Sequence, residues 1–235
     1  MARQRLEIYS DLICPWCYIG KRRLEAAQRL SDDVRTAHII WHPFQLNPDM
    51  PPAGVDRRTY RTEKFGSWEQ SLELDAQVVR AGADVGIAFN YSAVQRTPNT
   101  FDSHRLIWLA GEHGNQDPVV EALFAAYFVE GRDLSQRSEL VEIAAAAGLP
   151  RDAAQDLLTG NEGAAEVRAK EQEVRDLGVQ GVPFYLVDRR VGFSGAQPPE
   201  LFVDAFQRAA NEREPATAAS GDSCSVDPAT GKRSC

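Results

Sequence analysis

The sequence predicts an α/β protein whose βαβ…ββα core is interrupted by an all-helical insertion. Three observations carry this reading. The first fifty residues alternate strand, helix and strand. More than a hundred residues without strand signals follow, punctuated by glycines. After Gly178 the pattern returns to two short strands and a last helix.

Residues 5–11 alternate apolar and polar side chains (Leu6, Ile8, Tyr9), as a strand does. From Cys17 to about Leu30, Tyr18, Leu24, Ala27 and Leu30 recur at helical steps. Pro15 suits the first turn of that helix, where its missing N–H costs nothing. Ser31-Asp32-Asp33 ends it, and Val34 to Phe44 forms a second strand closed by Pro43. This spacing makes a βαβ unit with a parallel pair.

Residues 45–58 are turn-rich. Helices are predicted over 59–82, 99–113, 118–130, 135–147, 151–159 and 162–177. Gly82, Gly114, Gly131, Gly148, Gly160 and Gly178 serve as their stops, and Pro118 and Pro150 open two of them. Phe101, Trp108, Leu123, Phe124, Tyr127 and Phe128 lie on apolar faces that read as helical core. Pro183 to Val187 and Val191 to Ser194 flank the turn Asp188-Arg189-Arg190 as a hairpin. Pro198-Pro199 starts an amphipathic helix that runs to about Ala210. The expected organisation is thus a first core half over 5–48, the insertion over 59–177, a second core half over 178–210 and a flexible cysteine-containing tail over 211–235.

A formal charge of -8 argues against a phosphate-binding face, so no nucleic acid partner is expected. The cluster Lys21-Arg22-Arg23 reads as a solvated helix face. No run approaches the roughly 18 apolar residues of a membrane span, and Met1 to Arg5 lead into the first strand without an apolar signal region. The expectation is a cytoplasmic protein, in a compartment that keeps most thiols reduced. All four cysteines sit in two pairs, Cys14/Cys17 and Cys224/Cys235, outside the core-forming middle. That favours chemistry over a disulfide scaffold.

Cys14-Pro15-Trp16-Cys17, at a strand end and a helix start, has the form of a dithiol–disulfide redox site. Cys14 stands at the helix N-terminus, where the macrodipole and free N–H groups favour a thiolate. Cys17, one turn further in, is the resolving thiol. A zinc site would need a second close pair, and Cys224 and Cys235 stand eleven residues apart, so no metal is expected. Val182-Pro183 enters a strand. A trans bond is the usual state of an X-Pro pair, whereas a cis bond would expose backbone for an extended substrate beside the dithiol. Asp11 suits either a turn or a proton acceptor for Cys17. His42 and His104 read as surface or satisfied histidines. There is neither a phosphate loop nor a Gly-x-Ser-x-Gly nucleophile motif.

Five segments together resemble the FrnE-like branch of the DsbA family of thioredoxin-fold oxidoreductases. They are Ser10 to Lys21, Trp41 to Pro48, Pro98-Asn99-Thr100, Gly181 to Phe184 and Ser194 to Gln197. The resemblance spans about residues 5 to 210 in consistent order. It implies a thioredoxin-like core, Cys14 as attacking and Cys17 as resolving thiol, and Pro183 as a cis-proline facing them. Pro15, Trp16 and Val182 would contact substrate, with Pro98 and Asn99 near the cleft, although Asn99 or Thr100 also suits a helix cap. No cofactor beyond the redox-active disulfide is implied. The partners would be protein or small-molecule thiols and disulfides, with glutathione or a thioredoxin system as reductant. Cys224 and Cys235 are either a second redox pair that shuttles disulfides with Cys14/Cys17 or an incidental tail pair. Glutathione transferase kappa and 2-hydroxychromene-2-carboxylate isomerase enzymes share the architecture but usually have serine where this chain has Cys14. An inert fold that clamps a peptide or small molecule is a third reading, and it requires an unreactive Cys14.

Overall fold

In the computed structural model the chain runs β1 (Arg5–Ser10), α1 (Pro15–Leu30), α2 (Asp32–Thr36), β2 (His38–Pro43), β3 (Val55–Asp56), α3 (Arg57–Phe65), α4 (Trp68–Ala83) and β4 (Arg96–Thr97). It continues through α5 (Phe101–Glu112), α6 (Gln116–Phe128), α7 (Arg137–Ala146), α8 (Arg151–Thr159) and α9 (Ala164–Asp176). It closes with β5 (Phe184–Val187), β6 (Val191–Ser194) and α10 (Pro199–Asn211). The structure describes residues 3–212 and, in the tail, β7 (Ser225–Val226) paired with β8 (Arg233–Ser234). Cys224 and Cys235 lie outside the described residues.

The main sheet has the order β2-β1-β5-β6. β1 pairs parallel with β2, Ile8 opposite Trp41, and antiparallel with β5, Ile8 opposite Tyr185. The two ends of the chain therefore build one sheet. Alternation along β1 sorts its side chains to two faces. Leu6 and Ile8 join the large core with Leu24 of α1 and Phe202 and Phe206 of α10. Tyr9 packs instead with Phe44 and Val174, the latter from α9.

The helical segment departs from its predicted form in three places. The expected helix over 59–82 is two helices, because Gly66 takes φ 89° and Ser67 caps α4 by accepting the Gln70 N–H. Gly82 does not stop a helix: it lies inside α4, where the Phe89 ring occupies the space a Cβ would need. The segment is not wholly helical either, since β3 and β4 form a two-residue ladder. Before β2, residues 32–36 wind into α2, so the second strand is shorter than the apolar run suggests.

The basic cluster on α1 is a clamp and not a solvated face. Lys21 is 3% exposed and its Nζ lies 2.6 Å from Glu25, 3.2 Å from Asp117 and 3.0 Å from Glu121. Arg22 pairs with Glu121, and Arg23 donates to the Ala196 carbonyl. Beside them Tyr18 stacks on Phe124 at 5.0 Å, so aromatic and ionic contacts join α1 to α6 along one seam.

A second ionic knot sits within the sheet. The fully buried Glu7 accepts from Arg189 Nε at 2.9 Å, and His42 Nε2 lies 3.2 Å away. Burial alone would raise Glu7; the bonds to His42 and Arg189 outweigh it and bring the carboxyl from its ordinary 4.5 down to about 2. A group lowered on folding adds stability above its unfolded value and loses it as pH falls through the folded value. In urea unfolding, the wild type is therefore expected to exceed Glu7→Gln in stability above about pH 4.5, with the gap closing as pH drops toward 2. A gap independent of pH would contradict this.

Candidate active site

Cys14 is the N-cap of α1 and Pro15 is the first helical residue. The Cys14 N–H donates to the Asp11 carbonyl at 3.0 Å, and the Cys17 N–H to the Cys14 carbonyl at 3.0 Å. These bonds hold the dithiol on a bend at the helix N-terminus. Both thiols are free; Cys14 is 5% exposed and Cys17 is 1% exposed. Burial pushes the Cys17 thiol well up, and neighbouring Cys14 adds to the rise. Hydrogen bonds from the Asp11 backbone and the Ser10 side chain oppose it.

The opposite wall comes from the far end of the chain. The Val182–Pro183 bond is cis, and the Cys14 thiol donates to the Val182 carbonyl at 3.5 Å. Tyr185, two residues on, crosses beneath the dithiol with its hydroxyl buried and without a hydrogen-bond partner. Burial pushes this phenol well up, with Cys17 and Cys14 acting in the same direction, so the hydroxyl keeps its proton. Gly20 makes the crossing workable: a Cβ there would overlap Tyr185 Oη and stand 3.3 Å from Pro183 Cγ.

Beside Cys14 opens a cavity of about 400 Å³. Cys14, Pro15, Trp16 and Val182 line it, and Trp16 is 41% exposed at the rim. Pro98 and Asn99 are not among its lining residues. Asn99 is bound up elsewhere: its Oδ1 accepts from Phe101 N at 2.9 Å and its Nδ2 donates to the Met50 carbonyl at 2.5 Å, tying the loop after β2 to the start of α5. Thr100 is the N-cap of α5 and makes no side-chain cap bond. His42 and His104 are both buried, so neither is a surface histidine.

Sequence reasoning missed the cavity's polar wall. Arg57, Arg61 and Lys64 of α3 line it with Asp75 of α4 and Tyr91. Asp75 binds both arginines, Arg57 at 2.5 Å and Arg61 at 2.7 Å. The one carboxylate of the lining thus answers two of its three cations, and the third, Lys64, has its Nζ held by Tyr60 Oη at 2.5 Å and Asn47 Oδ1 at 3.2 Å. The Tyr91 hydroxyl is buried without a hydrogen-bond partner. The signal was present in the spacing: positions 57, 61 and 64 share one face of a helix. Among the described residues no cluster of His, Cys, Asp or Glu could hold a metal ion.

A parallel–antiparallel sheet carrying a dithiol at a helix N-terminus opposite a cis-proline defines a thioredoxin-fold protein of the disulfide-exchange type. Within that class the chain belongs to the family of the DSBA-like thioredoxin domain, whose model matches residues 5–207. It is similar to a probable DsbA oxidoreductase from Streptomyces coelicolor, with 35% identity, TM-score 0.84, and 96% of this chain and 97% of that one covered. The cytosolic disulfide reductase DsbM from Pseudomonas aeruginosa, solved with GSH, shares the fold at 20% identity and TM-score 0.61, covering 87% of this chain and 99% of that one. An uncharacterized Bacillus subtilis protein, YwbO, is 23% identical over 202 residues, 86% of this chain and 94% of its own length.

The close approach at Gly20 is testable. Gly20→Ala is expected to cost about 1–3 kcal/mol in chemical unfolding, as overpacking does, and Tyr185→Phe, which removes the colliding hydroxyl, should recover much of it. Strictly additive effects of the two substitutions would contradict the contact.

Proposed function

We propose that the protein is a thiol–disulfide oxidoreductase in which Cys14 attacks and Cys17 resolves. The observation that carries the reading is the asymmetry of the two thiols. Cys14 edges the cavity at the helix N-terminus, whereas Cys17 is sealed and held protonated. Cys14 thiolate attacks a substrate disulfide: one S–S bond forms to Cys14, the substrate S–S bond breaks, and one substrate thiolate leaves. Part of what holds the proton on Cys17 is Cys14 itself. That part vanishes once Cys14 is bonded to a substrate sulfur, so Cys17 becomes easier to ionise at the step that needs it. Cys17 then attacks Cys14, the internal disulfide forms, and the second substrate thiolate leaves. The substrate gains two electrons and the dithiol loses them; the reverse sequence oxidises a substrate. The cis Val182–Pro183 wall shapes the substrate site.

The cavity beside Cys14 adds a preference. Its size and its excess of cations suit a small thiol or disulfide that carries carboxylates, such as glutathione, with Lys64 as the cation least committed to a carboxylate. A cytoplasmic setting, rich in such thiols, fits this reading.

Turnover of glutathione disulfide and of a neutral small disulfide tests both parts. Cys14→Ser should abolish both activities, and Cys17→Ser should stop after one attack, leaving a mixed disulfide visible as a mass increase. Lys64→Glu should raise KM for glutathione disulfide about ten-fold, the worth of one charge-assisted contact, and leave the neutral substrate unchanged. Full activity of Cys14→Ser would overturn the reading.

A further inference from the structure

The pair behind the dithiol has no part in the steps above. Asp11 is 0% exposed and His104 of α5 is 2% exposed. Asp11 Oδ2 accepts from the Leu46 N–H at 2.8 Å, which fixes one side of the carboxylate. Its Oδ1 is buried without a hydrogen-bond partner, and so is His104 Nε2. These two unpartnered atoms face each other at 3.6 Å. They are separated by more than ninety positions in sequence and brought together by the packing of α5 against β2, the strand paired with β1.

Two orphan atoms of complementary type, sealed together, satisfy one another by a small shift that forms Nε2–H···Oδ1. The consequence reaches the dithiol because Asp11 is the residue on which the bend turns. Its carbonyl accepts the Cys14 N–H at 3.0 Å, and its own N–H, with the Ser10 hydroxyl, stabilises the anion of Cys17. Ser10 Oγ is buried without a hydrogen-bond partner.

We propose that His104 is a positioning residue for the resolving thiol, acting through Asp11: the imidazole N–H and the Leu46 N–H grip the carboxylate from two sides and hold the donors that face Cys17. The inference rests on the dithiol reading and adds a division of labour to it. His104 serves the second step, in which Cys17 loses its proton, its sulfur bonds to Cys14, the Cys14–substrate S–S bond breaks and the leaving thiolate departs with the bonding pair. The first step needs only Cys14.

Reduced protein mixed with excess dithionitrobenzoic acid separates the two. Attack by Cys14 releases the first coloured thiolate at a rate that depends on reagent concentration, and resolution by Cys17 releases the second at a rate that does not. His104→Ala is expected to leave the first phase within about two-fold of wild type and slow the second about ten-fold or more, the size of effect a small misplacement of a reacting group produces. His104→Gln, which keeps an N–H donor, should return the second phase to within about three-fold. A retained first phase also shows that the variant is folded; if the Ala chain does not fold, His104→Phe, which fills the space without a donor, takes its place. An unchanged second phase, equal slowing of both phases, or no recovery with Gln would overturn the proposal. A wild type that releases only one thiolate would instead overturn the dithiol reading itself.

Discussion

Lys21 is the constraint on which the rest of the site depends. An ammonium group at 3% exposure is costly unless carboxylates surround it, and Glu25, Asp117 and Glu121 all reach it. Burial works against its charge, and Asp117 together with Glu25 and Glu121 more than restores it. Two of the three carboxylates belong to α6, so the full set reaches Lys21 when α1 lies along that helix. Tyr18 stacked on Phe124 in the same seam adds to the hold on α1 in that position. That position sets the helix N-terminus, and Cys14 with it, against the Val182 carbonyl.

The proposed chemistry rests on how unequally the two cysteines are then treated. Two residues separate them in sequence, yet one opens to a cation-lined cavity and the other is sealed in the core. Burial pushes the inner thiol up, and the neighbouring Cys14 adds to the rise. In the proposed reaction the Cys14 contribution is lost when the outer thiol bonds to substrate, which orders the two proposed steps. Tyr185 and Gly20 keep the floor of the site thin enough for a strand to pass directly beneath the helix.

Local signals were legible where a single segment carried them. β1, α1, the β5–β6 hairpin and the Cys14/Cys17 pair are each written within sixteen residues or fewer, where periodicity and spacing find them. The aromatic faces of Phe124, Tyr127 and Phe128 were correctly read as core because burial was what their spacing demanded. What sequence could not reveal depended on partners far along the chain. Lys21-Arg22-Arg23 resembles any solvated cluster until Asp117 and Glu121 arrive nearly a hundred residues later. Likewise His104 looked unremarkable without Asp11, and Arg57, Arg61 and Lys64 had no visible purpose until α3 was laid beside Cys14. Asn99 illustrates the converse: its place in the resemblance pointed to the cleft, but its hydrogen bonds pin a loop.

The central claim is that Cys14 and Cys17 form one two-electron couple. Its most direct measurement is a titration of the reduced protein against mixtures of reduced and oxidised glutathione, with peptide mapping of the trapped products. The account predicts that both thiols disappear together and that Cys14 is recovered joined to Cys17 as the dominant oxidised species. Accumulation of Cys14 capped by glutathione while Cys17 stays a free thiol at every ratio would contradict it.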